Sequence, residues 1–451
     1  MSISGGRGNG NAGAAGETLR DLVSAYASRR LGMEAEDVPV TLVDAEILAA
    51  GRPGIVDVVA EVGGRVLHLP LGLRSPGEES HFLPEGDDAV LGIFEDSEGV
   101  ALVTDVLSDT ELSTLLLRVV TGQRTDPSLM RQLRADERSV TLVVEDRLAF
   151  TVFTELARGP RLGLELLLAL DEVGFNHVAA PIATWRRGER DLGFVQEYLP
   201  GASSGWALAL TSVRDLYASG GPPEIAGGDF AAEARRLGTM TARMHLGLDE
   251  AFGRRAGDFS AWADGVEAAV RPLAPRLLER QDVGELLARL RRIEGPSHAI
   301  RTHGDFHLGR VYRTELGWYV GDLGPGGRPR TRAGTIPDTP AGQWANGTAP
   351  SAGLAREPAF RSPVADVADM SWSFGLVSRT AAKERDPTGR EGLDDLAEAW
   401  EQRNRGAFLT GYLETPGILD LVPARRESVA VLVAAFELER TALRMTRRAE
   451  L

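Results

Sequence analysis

His303-Gly304-Asp305-Phe306-His307-Leu308-Gly309-Arg310, followed by Val311-Tyr312-Arg313 and then Trp318-Tyr319-Val320-Gly321-Asp322, decides the reading of this chain. Asp305 and Asp322 stand 17 positions apart, with short strand-like runs between them. Such runs around a turn predict a hairpin, which brings the second carboxylate back beside the loop carrying the first. Phosphoryl transfer to an alcohol uses a pair of this kind. One carboxylate accepts the hydroxyl proton, and the other, a hard oxygen ligand, holds Mg²⁺ on the phosphates of ATP. Asp305 is therefore the candidate base and Asp322 the candidate metal ligand. His303 is expected to fix the loop by hydrogen bonding, and His307 to contact substrate or phosphate. A plainer account makes Asp322 the start of a turn before Gly324-Pro325-Gly326-Gly327. The strand before it and its spacing from Asp305 favour the chemical account.

The rest of the composition narrows the partners. The chain has 451 residues and a net charge of −15, which argues against nucleic acid, whose phosphates need a basic face. The balance fits a small-molecule substrate. No apolar run approaches a membrane span of ~20 residues, so no membrane association is expected. There is no Cys, which excludes disulfides and thiolate metal sites and suits a cytoplasmic protein. Among 50 basic residues the one lysine is Lys383. Any step needing a lysine must use it or an arginine, and the two are not interchangeable. Lys383 stands in a polar segment and reads as solvated. The Trp residues at 185, 206, 262, 344, 372 and 400 read mainly as core, with Trp372 the candidate for sugar contact.

Along the chain, residues 1–16 read as a disordered tail. A helix over 17–31 leads into alternating runs at Val38–Leu42, Ile55–Val62 and Arg65–Leu71, with Gly63-Gly64 as a two-residue turn. Another strand, Val100–Val106, precedes a helix capped by Asp109 and running to about Val120. This is a small α+β unit over 17–120. Next come a hairpin (Val140–Val144, Leu148–Phe153), a helix (Leu162 to Val173) and two strands (Val178–Trp185, Leu192–Tyr198). That order is the order of a kinase N-lobe, assigned to 121–200. Gln196-Glu197-Tyr198 then resembles the hinge whose backbone groups pair with adenine. From 201 to 451 the chain is mainly helical, with helices at 203–219, 229–247, 259–280, 282–293, Val364–Ser378, Leu393–Leu413 and Arg425–Arg447. The catalytic stretch 303–322 and a Gly/Pro/Ala/Thr-rich loop, 324–360, expected to be mobile, interrupt them.

The His303–Arg313 stretch, Gly317–Asp322, Ser362-Pro363-Val364-Ala365-Asp366-Val367-Ala368-Asp369-Met370, Trp400 with Phe408–Leu413, and Phe436-Glu437-Leu438-Glu439-Arg440 resemble the actinobacterial maltokinases. These are close relatives of glucosamine kinases within the aminoglycoside phosphotransferase superfamily. The resemblance is strongest over 300–445 and rests mainly on element order over 17–200. It implies an α+β fold, the bilobal protein-kinase-like fold with an N-terminal cap and a mainly helical C-lobe. It also implies ATP and Mg²⁺ as cofactors, a small sugar as acceptor (maltose, or glucosamine in the sister group), and trehalose synthase as a candidate partner. Asp366 is implied as a sugar-pocket residue. Glu165 is implied as the structural helix carboxylate that pairs with the phosphate-binding lysine.

Several positions depart from that pattern. Thr151 stands where the strand lysine belongs. Arg310 replaces the amide that is the second metal ligand, and Leu323-Gly324-Pro325 replaces a further acidic residue. The family's C-terminal tail is reduced to Arg444–Leu451. Two accounts follow. In one, arginines substitute: Arg310 reaches the phosphates, and Arg134, Arg138 or Arg147 approaches from the N-lobe, with Arg138 the candidate nucleotide contact. In the other, the protein is a degenerate kinase that binds nucleotide, sugar or a partner and catalyses little. Each lost electrostatic group costs ~3–4 kcal/mol of transition-state stabilisation.

Overall fold

The computed structural model describes residues 19–28, 39–77, 90–96, 99–136, 138–157, 159, 161–224, 229–323, 360–386, 388 and 392–449. The expected tail and residues 324–359 of the expected loop lie outside them. The chain divides into two compact units. One takes the described residues up to Arg161 together with Ala180–Pro200. The other takes Leu162–Ala179 and the described residues from Gly201 onward.

The first unit holds two antiparallel sheets. In one, Val40–Ala49, Gly54–Val62, Arg65–Arg74, Gly99–Asp105 and Val90–Asp96 lie in that spatial order, with Glu155–Leu156 added against Arg65–Arg74. Gly63 and Gly64 make the tight turn with φ of +58° and +79°, the left-handed pair that a two-residue hairpin requires. The other sheet runs Pro181–Arg187, Arg190–Glu197, Leu148–Phe153, Ser139–Val144, Met130–Ala135. The helix Thr110–Thr121 begins at Asp109, whose carboxylate accepts from the amides of Glu111 and Leu112. It ends at Gly122 with φ +73°.

That helix buries Leu112, Leu116 and Leu117 in one cluster with Ile55, Val140, Leu142, Phe150, Val152 and Val195. The boundary expected at 120 therefore runs through a shared core. Between the sheets, buried Asp57 accepts from His68 and from Arg187 at 2.7 and 2.6 Å, so a buried charge is matched by hydrogen-bonded partners. A second cluster packs Leu22, Val23 and Tyr26 of the helical segment 19–28 on Val58, Ala60, Leu67, Leu69 and Leu71.

The second unit is mainly helical. Its long helices are Gly205–Ser219, Ala231–Phe252, Phe259–Val270, Gln281–Arg291, Val364–Arg385, Asp394–Leu413 and Arg426–Ala449. The helix expected over 259–280 stops at Val270. Leu273 and Ala274 turn back on the carbonyl of Val270, and Pro275 starts a separate turn. The helices Ala231–Phe252 and Asp394–Leu413 cross at glycine: a methyl on Gly238 would run into the Phe408 carbonyl, and one on Gly411 into that of Arg235. Helix Leu162–Glu172, which the sequence places with the N-lobe, packs on Ala231–Phe252 in this unit.

Candidate active site

The site is built on strand His298–Arg301, the loop after it, the short turn Leu308–Arg310 and the hairpin Val311–Thr314/Gly317–Val320. Phe306 is fully buried and anchors the loop with its ring 5.4 Å from that of His303. His303 is buried as well. Its Nδ1 accepts from the Asp305 amide and its Nε2 faces the Gly321 carbonyl, both at 3.4 Å. These bonds assign its proton to Nε2. One imidazole thus ties the loop to the returning strand, and burial lowers its pKa below the ordinary value. A second tie is the Gly321 amide, which donates to the Arg310 carbonyl at 2.8 Å. The Tyr312 ring lies where a Gly321 Cβ would stand.

Asp366 was expected in the sugar pocket. It is instead fully buried. Its carboxylate accepts from the amides of His303 (2.8 Å) and Gly304 (2.9 Å) and faces His245 Nε2 at 3.2 Å. Burial opposes its charge; His245, His303 and the Gly304 amide outweigh that and hold its pKa below the usual range. Asp366 is thus the anchor of the 303–310 loop, and a sugar hydroxyl has no surface of it to touch. Ser373, two turns along the same helix, accepts from the Leu308 amide at 3.2 Å.

Asp305 stands between two guanidinium groups. Arg310 Nη2 donates to its Oδ2 at 3.1 Å and Arg440 Nη2 to its Oδ1 at 3.2 Å. Burial pushes its carboxyl up, but His307, Arg440 and Arg310 outweigh this and hold it far below the ordinary carboxylate range. It is ionised at any working pH. Each carboxylate oxygen retains a second lone pair able to accept a hydroxyl proton.

His307 is buried and its Nδ1 accepts from the Gly309 amide at 3.1 Å, which assigns its proton to Nε2. That nitrogen lies 3.8 Å from Asp305 Oδ2. Burial pushes its pKa down to about 4, so the ring is neutral near pH 7. The direct substrate contact expected of it does not fit a side chain only 4% exposed; it lines Asp305 from within.

Asp322 follows the hairpin in the left-handed region, φ +46°, a conformation Asp tolerates but that is enriched at functional positions. It was expected to hold Mg²⁺. Its Oδ2 accepts instead from Arg310 Nη1 at 2.8 Å. Arg310 therefore spans the two carboxylates with separate N–H groups. A guanidinium has no lone pair to offer a metal, and it uses oxygens that octahedral Mg²⁺ would need at ~2.0–2.1 Å. Among the described residues no group of three or more His, Cys, Asp or Glu is placed to hold a metal. The donor set does not fit the ion.

Sequence reasoning quoted Asp369 and Arg440 within the resembling stretches and gave neither a role. Arg440, on the last helix, grips Asp369 through Nε (2.6 Å to Oδ1) and through Nη2 while also reaching Asp305. Burial pushes the Asp369 carboxyl up to about 6; burial opposes the charge of Arg440, but Asp369 and Asp305 together outweigh it and raise its pKa. Next to them Arg361 pairs with Glu439 at 3.0 Å. Trp372 is partly buried one turn beyond Asp369, on the same side of the helix by its spacing. Glu165 pairs with Arg301 at 3.0 Å, where the resemblance implied a lysine partner.

The remaining nucleotide candidates belong to the other unit. Thr151 bonds Thr141 across the sheet at 3.0 Å. Arg138 lies 3.6 Å from Glu155, Arg134 pairs with Asp136 and Arg147 with Glu145. Gln196 lies in register with Ala149 and Pro181. The amides of Glu197 and Tyr198 donate to the carbonyls of Ala180 and Arg147 at 2.8 Å each, so those two N–H groups are committed. Lys383 is exposed in the last turn of its helix.

The antiparallel sheets, the helical unit and the His-Gly-Asp loop with its hairpin make up a kinase-like α+β fold. A solved glucosamine kinase in complex with glucosamine, ADP and inorganic phosphate is 20% identical, with 91% of each chain covered and a TM-score of 0.57. A second crystal form gives a TM-score of 0.58 over 95% of this chain and 96% of that one.

By sequence the chain is related to glucosamine kinases. That of Streptacidiphilus jiangxiensis is 30% identical over 273 residues, and that of Mycolicibacterium smegmatis 26% identical over 208. These alignments cover 56% and 43% of this chain, and about half of each relative (54% and 51%). No protein-family profile matches the chain.

Proposed function

We propose that this protein is an ATP-dependent sugar kinase whose acceptor is an amino sugar of the glucosamine class. The observation that carries the reading is the ionised Asp305 carboxylate, held on a loop pinned by His303 and Asp366 and paired through Arg310 with Asp322. The relatives by sequence and the ligands of the neighbouring solved structure support an amino sugar over maltose. They offer nothing for trehalose synthase as a partner. Among the described residues no helix is long and apolar enough to cross a membrane.

In the reaction, a sugar hydroxyl donates a hydrogen bond to Asp305. Its oxygen attacks the γ-phosphorus, the bond to the β,γ-bridging oxygen breaks, ADP departs, and the proton passes to Asp305. A carboxylate held so far below its usual pKa is a weak base. Its main contribution is to orient the hydroxyl, with proton transfer late, as suits a loose transition state.

The test is ADP release from ATP with glucosamine, glucose and maltose. Glucosamine should stimulate it most; release that no sugar raises above the basal rate would overturn the proposal. A second reading has one observation in its favour, the guanidinium on each oxygen of Asp305. It is a protein that binds nucleotide or sugar and turns over little. Saturable glucosamine binding without stimulated ADP release would select it.

A further inference from the structure

We propose that Arg310 is an internal replacement for the divalent cation, so that the phosphate chain of a nucleotide binds here without metal. The inference rests on the nucleotide reading above and deepens it.

Three observations carry it. First, the guanidinium lies where a bridging cation would lie, joined to Asp322 at 2.8 Å and to Asp305 at 3.1 Å. Second, the side chain is held rather than resting on the surface. The Arg310 amide donates to the His307 carbonyl and its carbonyl accepts from the Gly321 amide, each at 2.8 Å. Its side chain is only 16% exposed. Third, donor capacity remains. Two of the five guanidinium N–H groups serve these carboxylates, and the buried Nε–H has no hydrogen-bond partner.

A planar fork of donors matches phosphate oxygens as it matches carboxylates. A doubly charged ion would have to displace a partly buried cation from both of its counter-ions. The neighbouring charges do not restore a metal site. Arg440 holds the other oxygen of Asp305, Asp369 is gripped by Arg440, and Glu439 by Arg361.

The experiment is calorimetric titration of the intact chain with ADP, in EDTA and in millimolar MgCl₂. Titrations with MnCl₂ are followed by the electron spin resonance of free Mn²⁺. The wild type should bind ADP with dissociation constants within roughly threefold in the two buffers and show no saturable Mn²⁺ site, because the guanidinium supplies the charge. Arg310→Gln should bind ADP at least about tenfold more weakly in EDTA and recover when Mn²⁺ is added, because the freed carboxylates can then ligate it.

ADP binding that needs Mg²⁺ by tenfold or more in the wild type would overturn the inference and leave the phosphotransferase reading standing. Absence of ADP binding in both buffers would overturn both. The wild-type comparison needs no variant, so it decides the matter even if Arg310→Gln misfolds. Arg310→Lys, which keeps a charge but loses the fork, should fall between the two.

Discussion

Replacing Asp366 by Asn separates a loop anchor from a sugar ligand. In the wild type one fully buried carboxylate satisfies two backbone amides, at 2.8 and 2.9 Å, and an imidazole nitrogen at 3.2 Å. Asparagine keeps one acceptor and turns the other into a donor. Either the His303 or the Gly304 amide then faces an N–H group and is buried without a partner. Hydrogen bonds to a charged acceptor contribute ~1.5–3 kcal/mol each, and breaking a buried charged network costs ~3–5 kcal/mol. With one bond lost outright and the others weakened by loss of charge, Asp366→Asn should be about 3–4 kcal/mol less stable. The assay is urea unfolding followed by tryptophan fluorescence, alongside steady-state kinetics. The anchor role predicts that stability and kcat fall while KM for the sugar stays close to wild type, because the loop loosens but the acceptor site keeps its atoms. A variant within ~0.5 kcal/mol of wild type, the range of an inconsequential substitution, with a tenfold higher sugar KM, would refute the reasoning and return Asp366 to the substrate pocket.

Other consequences follow from the same geometry. His307, pushed down to about 4 in the folded chain, titrates near 6.5 when unfolded. Between those values the unfolded state binds more protons, so stability falls as pH drops from 6.5 towards 4, by at most about 3 kcal/mol from this residue. Denaturation at pH 5 and 7.5 should show a smaller drop for His307→Asn than for wild type; an equal drop contradicts the assignment. Asp305 acts in the same direction at lower pH, because its folded pKa too lies below its unfolded one. Its depressed pKa contributes stability that is present above about pH 4 and lost only as pH falls through its still lower folded value. No limb of the kcat profile between pH 5 and 9 should therefore vanish in a variant of this residue alone. Gly238→Ala pushes a methyl into the Phe408 carbonyl and should destabilise the helical unit by about 2 kcal/mol, read as a lower denaturation midpoint; an unchanged midpoint would mean the two helices separate at little cost.

Much of this architecture was legible in local signals. Gly63-Gly64 between alternating runs specified a hairpin, Asp109 marked a helix start, and Val311–Thr314 with Gly317–Val320 formed the hairpin that spaces Asp305 from Asp322. Several strands escaped notice, among them His298–Arg301 under the site loop and the edge strands Met130–Ala135 and Val90–Asp96; Met130–Ala135 exposes every residue but Met130, so no hydrophobic alternation announced it.

The site was legible in its nearest-neighbour part and opaque in its long-range part. Asp305 and Asp322 lie on one continuous stretch. Arg440 reaches Asp305 across 135 positions, and no local period records such a contact. Asp366 shows how one signal supports two readings. A carboxylate flanked by Val364-Ala365 and Val367-Ala368 can line a pocket or, since a buried charge must be bonded, anchor a loop. The apolar flanks on both sides pointed to burial.

Arg310 was visible as a departure from the resemblance, yet only the folded chain shows it lying across both carboxylates at once. A lone substitution in a motif says that a ligand is lost; it does not say what fills the space.

The most direct test of the central claim is transfer of labelled phosphate from γ-³²P-ATP to glucosamine, measured for wild type and for Asp305→Asn with the product separated from ATP. Wild type should form a labelled sugar phosphate, and the variant should form it at least ~100-fold more slowly, the scale of a positioned acid–base group. Equal labelling by both proteins would contradict the account.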